Sequence, residues 1–240
     1  MRNFIKLLCT TLIIGSAYAT ENIILVGTTG DYPPLTYTVE SSYSGTDIKI
    51  IQDFAAANKL TIKFVQTSWP TLSSDLTSNK FVLAVGGISN NPERSKLFYL
   101  SDAIESSAKV GLIRCSDSNR FNNFAAIDTT NVTVIENRGG TNQDFAIKNI
   151  KHATIVLTPQ NSVAISKLTD KMNPADIMFT DDIEVKYRHQ INAELCQAQI
   201  PEQFPSADKV FIFSKTQDGA HLYKLFNQWW RLHKTAYSGN

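Results

Sequence analysis

The sequence lacks the features that mark most catalytic and binding classes. No loop spells G-x-G-x-x-G or a Walker A pattern, and the four histidines, His152, His189, His221 and His233, show no ligand spacing. Neither a metal nor any other cofactor is implied. Charge of one sign is also missing: 23 Lys and Arg stand against 22 Asp and Glu, with no basic run, which excludes a nucleic-acid surface. Long apolar stretches are absent except near the N-terminus, where Leu7 to Gly15 falls short of the roughly 20 residues a membrane span needs. No stable membrane anchor is expected. Arg2 and Lys6 before that stretch, and Ser16-Ala17-Tyr18-Ala19 after it, complete a cleavable signal peptide over residues 1–19. A periplasmic, exported chain follows.

Cysteine is scarce as well. Of three, Cys9 lies inside the leader, ahead of most of its apolar part, and reads poorly as a lipid-anchor cysteine. Cys115 and Cys196 remain, in an oxidising compartment. One disulfide closing a long loop is expected, worth about 2–4 kcal/mol. A redox pair would want the two thiols in a C-x-x-C, which they do not form.

What is present is an ordinary globular composition, 42% hydrophobic over 240 residues, enough for one large domain or two modest lobes. Apolar runs at Ile23–Val26, Leu60–Val65 and Phe81–Val85 read as strands. Asp47 stands where it can cap a helix whose Ile48, Ile51, Phe54 and Ala55 share a face, and Pro70 suits a first helical turn. The alternation then restarts. Strands are expected at 132–135, 154–157 and 177–179, and helices at 142–150, 162–172 and 182–191. Val210–Phe213 is a last strand. A last helix presents Leu222, Leu225, Phe226, Trp229 and Trp230 as one core stripe. The class is α/β with parallel sheets. Two series with a strand and helix left over predict two lobes: 20–113, then 114–206, then a return over 207–240. In open α/β sheets the ligand sits beyond the carboxyl ends of the strands, where the glycine-rich loops of this chain also fall.

Spacing alone makes Asp181 and Glu184, three apart, a capping box. Five stretches in order point further: Thr28-Thr29-Gly30-Asp31-Tyr32; Thr67-Ser68-Trp69-Pro70; Gly87-Ile88-Ser89 with Glu93-Arg94; Asn137 with Gly139-Gly140-Thr141-Asn142; and Thr180-Asp181 with Ile183-Glu184. Through them the chain resembles the periplasmic solute-binding proteins for polar amino acids, and within them the cyclohexadienyl dehydratases, from about Val26 to Lys215.

The resemblance implies a two-lobed, type II periplasmic-binding-protein-like fold with the ligand cleft between lobes. It implies conversion of prephenate to phenylpyruvate or of arogenate to phenylalanine, without a cofactor. Glu184 matches the general acid and Arg94 the carboxylate clamp. Lys109 lies in an apolar run, either with a partner or as an edge-strand lysine. Ser89, Asn137, Thr141 and Asn142 are polar contacts for a substrate, or turn and cap residues. Tyr32 and Trp69 are walls for a flat ring, or core.

The alternative is an amino-acid-binding protein serving an ABC permease, in which Asp181 pairs a ligand ammonium and Glu184 only caps. Either way the partner is a small-molecule carboxylate, and a homo-oligomer is compatible with both. Leu35, Gly86, Arg138 and Ile165 depart from the family's pattern, where Phe, Ser, Pro and an aromatic are expected.

Overall fold

A computed structural model describes residues 23–204 and 206–237. The expected signal peptide and Cys9 lie outside these residues. The chain opens with β1 (Ile23–Thr28), a small meander of β2 (Asp31–Tyr32), β3 (Thr36–Val39) and β4 (Ser42–Ser44), then α1 (Thr46–Ala57) and β5 (Thr61–Gln66). α2 (Leu72–Thr77), β6 (Leu83–Ala84), α3 (Pro92–Leu97) and β7 (Tyr99–Leu100) follow. The second series holds β8 (Glu105–Arg114), α4 (Phe124–Ile127), β9 (Thr133–Asn137), α5 (Thr141–Asn149), β10 (Thr154–Thr158) and α6 (Asn161–Leu168). It ends with β11 (Ile177–Asp181), α7 (Asp182–Ile191), β12 (Leu195–Gln197) and β13 (Ser206–Lys209), before β14 (Ile212–Phe213) and α8 (Gln217–His233).

Two sheets result. The first has strand order β5-β1-β6-β14-β7, the second β10-β9-β11-β8-β12 with β13 beside β8. The architecture is two-lobed α/β, but parallel pairing is confined to β5-β1-β6 and β10-β9-β11; β8, β12, β13 and β14 all run antiparallel to their neighbours. The reason is that β8 and β14 are not reached by helical crossovers. They are the segments on which the chain enters one lobe and returns to the other. The expected boundaries at 113 and 206 move accordingly. β8 is one uninterrupted strand hydrogen-bonded within the second sheet, and Lys209 of β13 pairs with Glu105 at its start, so the crossings fall just before 105 and just after 209.

Each lobe has its own apolar core. In the first, Val26, Ile51, Phe54 and Leu83 pack against Phe211, Phe226, Trp229 and Trp230. The α8 stripe is thus core as its spacing predicts, each buried large side chain contributing about 1.5–3 kcal/mol. In the second, Val134, Ile177 and Phe179 lie on one face of the sheet, and Ile135, Ile165, Leu168 and Met178 on the other. Cys115, following β8, and Cys196, on the neighbouring β12, are joined by a disulfide with their Cα atoms 4.8 Å apart.

Two capping expectations are overturned. Gly45 is the N-cap of α1, and the Asp47 carboxylate instead accepts the N–H groups of Gly86 (3.1 Å) and Gly87 (2.9 Å). Those glycines have φ of 114° and 73°, and a Cβ on Gly87 would lie 2.4 Å from the Tyr32 ring, so the turn needs glycine twice and Asp47 as its anchor. Pro70 lies ahead of α2, whose N-cap is Thr71.

Candidate active site

The cleft assembles from the loops at the strand ends. β2 delivers Tyr32, whose ring meets Trp69 edge-on at 5.8 Å; the Trp69 indole N–H donates to Asp31 Oδ1 at 3.1 Å. The Gly86–Gly87 turn places Ser89. α3, capped by Asn91 and opened by Pro92, places Arg94. From the other lobe come Asn137 at the end of β9, Gly140-Thr141-Asn142 at the start of α5, and Asp181 at the end of β11. Together Tyr32, Trp69, Gly87, Ser89, Arg94, Asn137, Gly140, Thr141, Asn142 and Asp181 surround a cavity of about 10 Å³, room for roughly one water. A larger ligand has to part the side chains that meet across it.

Asp181 is the hub of that meeting. Its Oδ1 accepts from Lys109 Nζ at 2.7 Å, and its Oδ2 from Lys209 Nζ and the Tyr32 hydroxyl. Burial favours the neutral acid, but Lys109 and Lys209 outweigh it and hold the carboxyl at about 2. The capping box is therefore not made: Asp181 is the N-cap of α7 by position, yet its side chain caps nothing, because two ammonium groups and a phenol hold it. Lys109 also donates to Asn142 Oδ1 at 2.6 Å. β8 lies inside its sheet, so Lys109 is not an edge-strand lysine. It stands just behind the cavity wall, with its acidic partner.

Arg94 is 7% exposed, and its guanidinium makes one hydrogen bond, from an Nη to the Ser89 carbonyl at 2.6 Å. Among the described residues it has no ion pair. Burial pushes its pKa down, while the more distant Asp144 and Glu93 push it up. A desolvated guanidinium with donors to spare suits a carboxylate. At the start of α5, Gly140 is the N-cap and no side chain caps it, so neither Thr141 nor Asn142 is a plain cap; the positive helix end is turned to the cavity. Thr141 Oγ1 lies 3.5 Å from Ser89 Oγ across the lobes. Asn137 accepts from Asn142 Nδ2 at 3.4 Å.

Glu184 does not line the cavity. It is fully buried one layer back, where Oε2 accepts from Thr180 Oγ1 (2.6 Å) and Oε1 from Asn161 Nδ2 (2.7 Å) and Arg188 (2.8 and 3.1 Å). Thr180 Oγ1 also takes a long bond, 3.4 Å, from Asn142 Nδ2, so one hydroxyl separates Glu184 from the cavity wall. Burial raises the Glu184 pKa, more than Arg188, Thr180 and Asn161 lower it.

Four residues at the site are given no role by the sequence reading. Arg188 is visible in principle, one helical turn after Glu184. Lys209 carries no signal beyond being a lysine before an apolar run. Asp31 and Asn161 join across the lobes, Asn161 N donating to Asp31 Oδ2 at 3.1 Å, and nothing local links residues 130 apart.

The fold and this cleft define a two-lobed binding-protein architecture. The chain belongs to the bacterial extracellular solute-binding proteins, family 3, whose profile matches residues 24–235. It is 34% identical over 220 residues to a cyclohexadienyl dehydratase of Pseudomonas aeruginosa, covering 91% of this chain and 80% of that one. Among solved structures it is similar to the ancestral amino acid-binding protein AncCDT-1, a precursor of cyclohexadienyl dehydratase (TM-score 0.81, 23% identity, 89% of this chain and 90% of that chain). It is similar also to the amino acid ABC transporter substrate-binding protein AbpA of Streptococcus pneumoniae bound to L-arginine (TM-score 0.81, 18% identity, 90% of each chain). At these identities the structural likenesses show the fold. The family is extracellular, and among the described residues no helix is long and apolar enough to cross a membrane.

Proposed function

We propose that this chain is an exported cyclohexadienyl dehydratase, with Glu184 as its proton donor. The likeness to the Pseudomonas dehydratase covers nearly the whole chain, and the observation that carries the reading is the state of Glu184. A fully buried carboxyl whose pKa burial raises, one hydroxyl from a cavity rich in cations, suits a proton donor beside a site for carboxylates. In the reaction the ring hydroxyl leaves as water with the proton from Glu184. The ring carboxylate leaves as carbon dioxide, and its bonding electrons complete the aromatic ring. Glu184 then regains a proton from solvent. Arg94 grips a carboxylate, and closure of the lobes excludes water. A substrate anion near Glu184 raises its pKa further, so the acid is best protonated when it is needed.

The test pairs two variants assayed for phenylpyruvate formed from prephenate. Glu184→Gln removes the acidic proton, and kcat is expected to fall roughly 10²–10⁴-fold. Arg188→Met disturbs the same buried ion pair but leaves the acid, and is expected to stay within about tenfold of wild type. A Glu184→Gln protein that turns over normally, or an Arg188→Met protein equally inactive while folded, would remove Glu184 from the chemistry. No turnover by the wild-type chain would remove the dehydratase reading itself.

A further inference from the structure

We propose that Lys209 is a built-in counterpart of a ligand ammonium, so that the cleft selects a keto dicarboxylate over the amino acid of the same skeleton. This rests on the dehydratase reading for the choice of skeleton, and deepens it. Among the described residues, Asp181 is the only acidic one lining the cavity, and so the first that a ligand's ammonium would meet there. Both of its oxygens are already taken by cations of the chain itself, Lys109 on Oδ1 and Lys209 on Oδ2. Lys209 is not a stray surface side chain. It is 1% exposed, its ammonium also donates to Ser89 Oγ at 2.8 Å, and it lies 5.5 Å from the centre of the Tyr32 ring.

An incoming ammonium therefore meets a carboxylate that is already neutralised, beside two like charges. Displacing Lys209 would leave a buried cation unpaired, which is the costly way to break such a pair. An anion meets the opposite situation. Arg94 on the cavity wall, and Lys109 and Lys209 on Asp181, are three cations against the one aspartate that lines the cavity. That local excess of cations favours carboxylates over a further cation. Lys209 can keep its hold on Asp181 and still offer its remaining N–H to a ligand oxygen. A ligand with a keto group in place of the ammonium is neither repelled nor left without a partner.

The experiment compares acids that differ only in this group. Binding of phenylpyruvate and phenylalanine is measured by calorimetry, and kcat/KM is measured for prephenate and arogenate, with the wild-type chain and with Lys209→Met. The wild type should favour the keto member of each pair by tenfold or more. Lys209→Met, which frees Asp181 Oδ2, should move that ratio at least tenfold toward the amino member. Equal or tighter binding of the amino member by the wild type overturns the assignment, as does binding of neither, or an unchanged ratio in a folded Lys209→Met or Lys209→Gln protein. If both variants fail to fold, the wild-type ratio alone decides. Absence of turnover with a tenfold keto preference in binding sinks the dehydratase reading and leaves the role of Lys209 standing.

Discussion

Asp47 offers a sharp test of how the cleft is held. It is buried, with one carboxyl oxygen on the Gly86 and Gly87 amides and the other without a hydrogen-bond partner among the described residues. Burial raises its pKa from 3.8 to about 7 against the pull of those two amides. The folded chain thus keeps a proton that the unfolded chain gives up. Stability from this group is whole below 3.8 and is lost as pH rises through about 7. At about 1.4 kcal/mol per pH unit the difference amounts to about 4 kcal/mol. Asp47→Asn retains an oxygen for both amides and cannot ionise. Guanidinium unfolding followed by tryptophan fluorescence at about pH 4.5 and about pH 8 should find the two proteins within about 1 kcal/mol of each other at the lower pH. At the higher pH the variant should be more stable, by up to about 4 kcal/mol. Glu136 and Glu184, also raised by burial, bend both curves alike, so the difference between the proteins isolates Asp47. Parallel curves would refute the reasoning.

Arg94→Lys keeps the charge but gives up the planar pair of donors, so KM for the carboxylate substrate should rise about tenfold with the fold intact; an unchanged KM would mean Arg94 holds only the Ser89 carbonyl. Thiol titration of the denatured, unreduced chain lacking residues 1–19 should find no free thiol, and Cys115→Ser with Cys196→Ser should cost about 2–4 kcal/mol; two free thiols would defeat the bridge.

The central strands β1, β5, β9, β10 and β11 were legible because each carries an apolar run, and α1 and α8 because each is amphipathic. α7 begins and ends where the sequence places it, and the Trp229–Trp230 stripe is core. What misled was local chemistry overruled by distant partners. Asp181 has a capping residue's position, but Lys109 and Lys209 come from strands far along the chain and claim its side chain. Asp47 looks like a cap and instead anchors a turn some forty residues on. The full length of β8 was hidden because Glu105, Ser106 and Ser107 are polar, although they pair with β13 as well as any apolar run would. Glu184 was found by likeness alone; its distance from the cavity could not be read from spacing.

The interrupted first lobe has a consequence for how the chain is made. A polypeptide emerges from its N-terminus, at about 5–20 residues per second on the ribosome. The second lobe is complete once Lys209 appears, with its two ends already paired at Glu105. The first lobe is not. Its sheet lacks β14 between β6 and β7, and its core lacks Phe211, Phe226, Trp229 and Trp230 until the last residues arrive. The half that begins first must finish last, and its exposed strands β6 and β7 have to be kept from wrong partners in the interval.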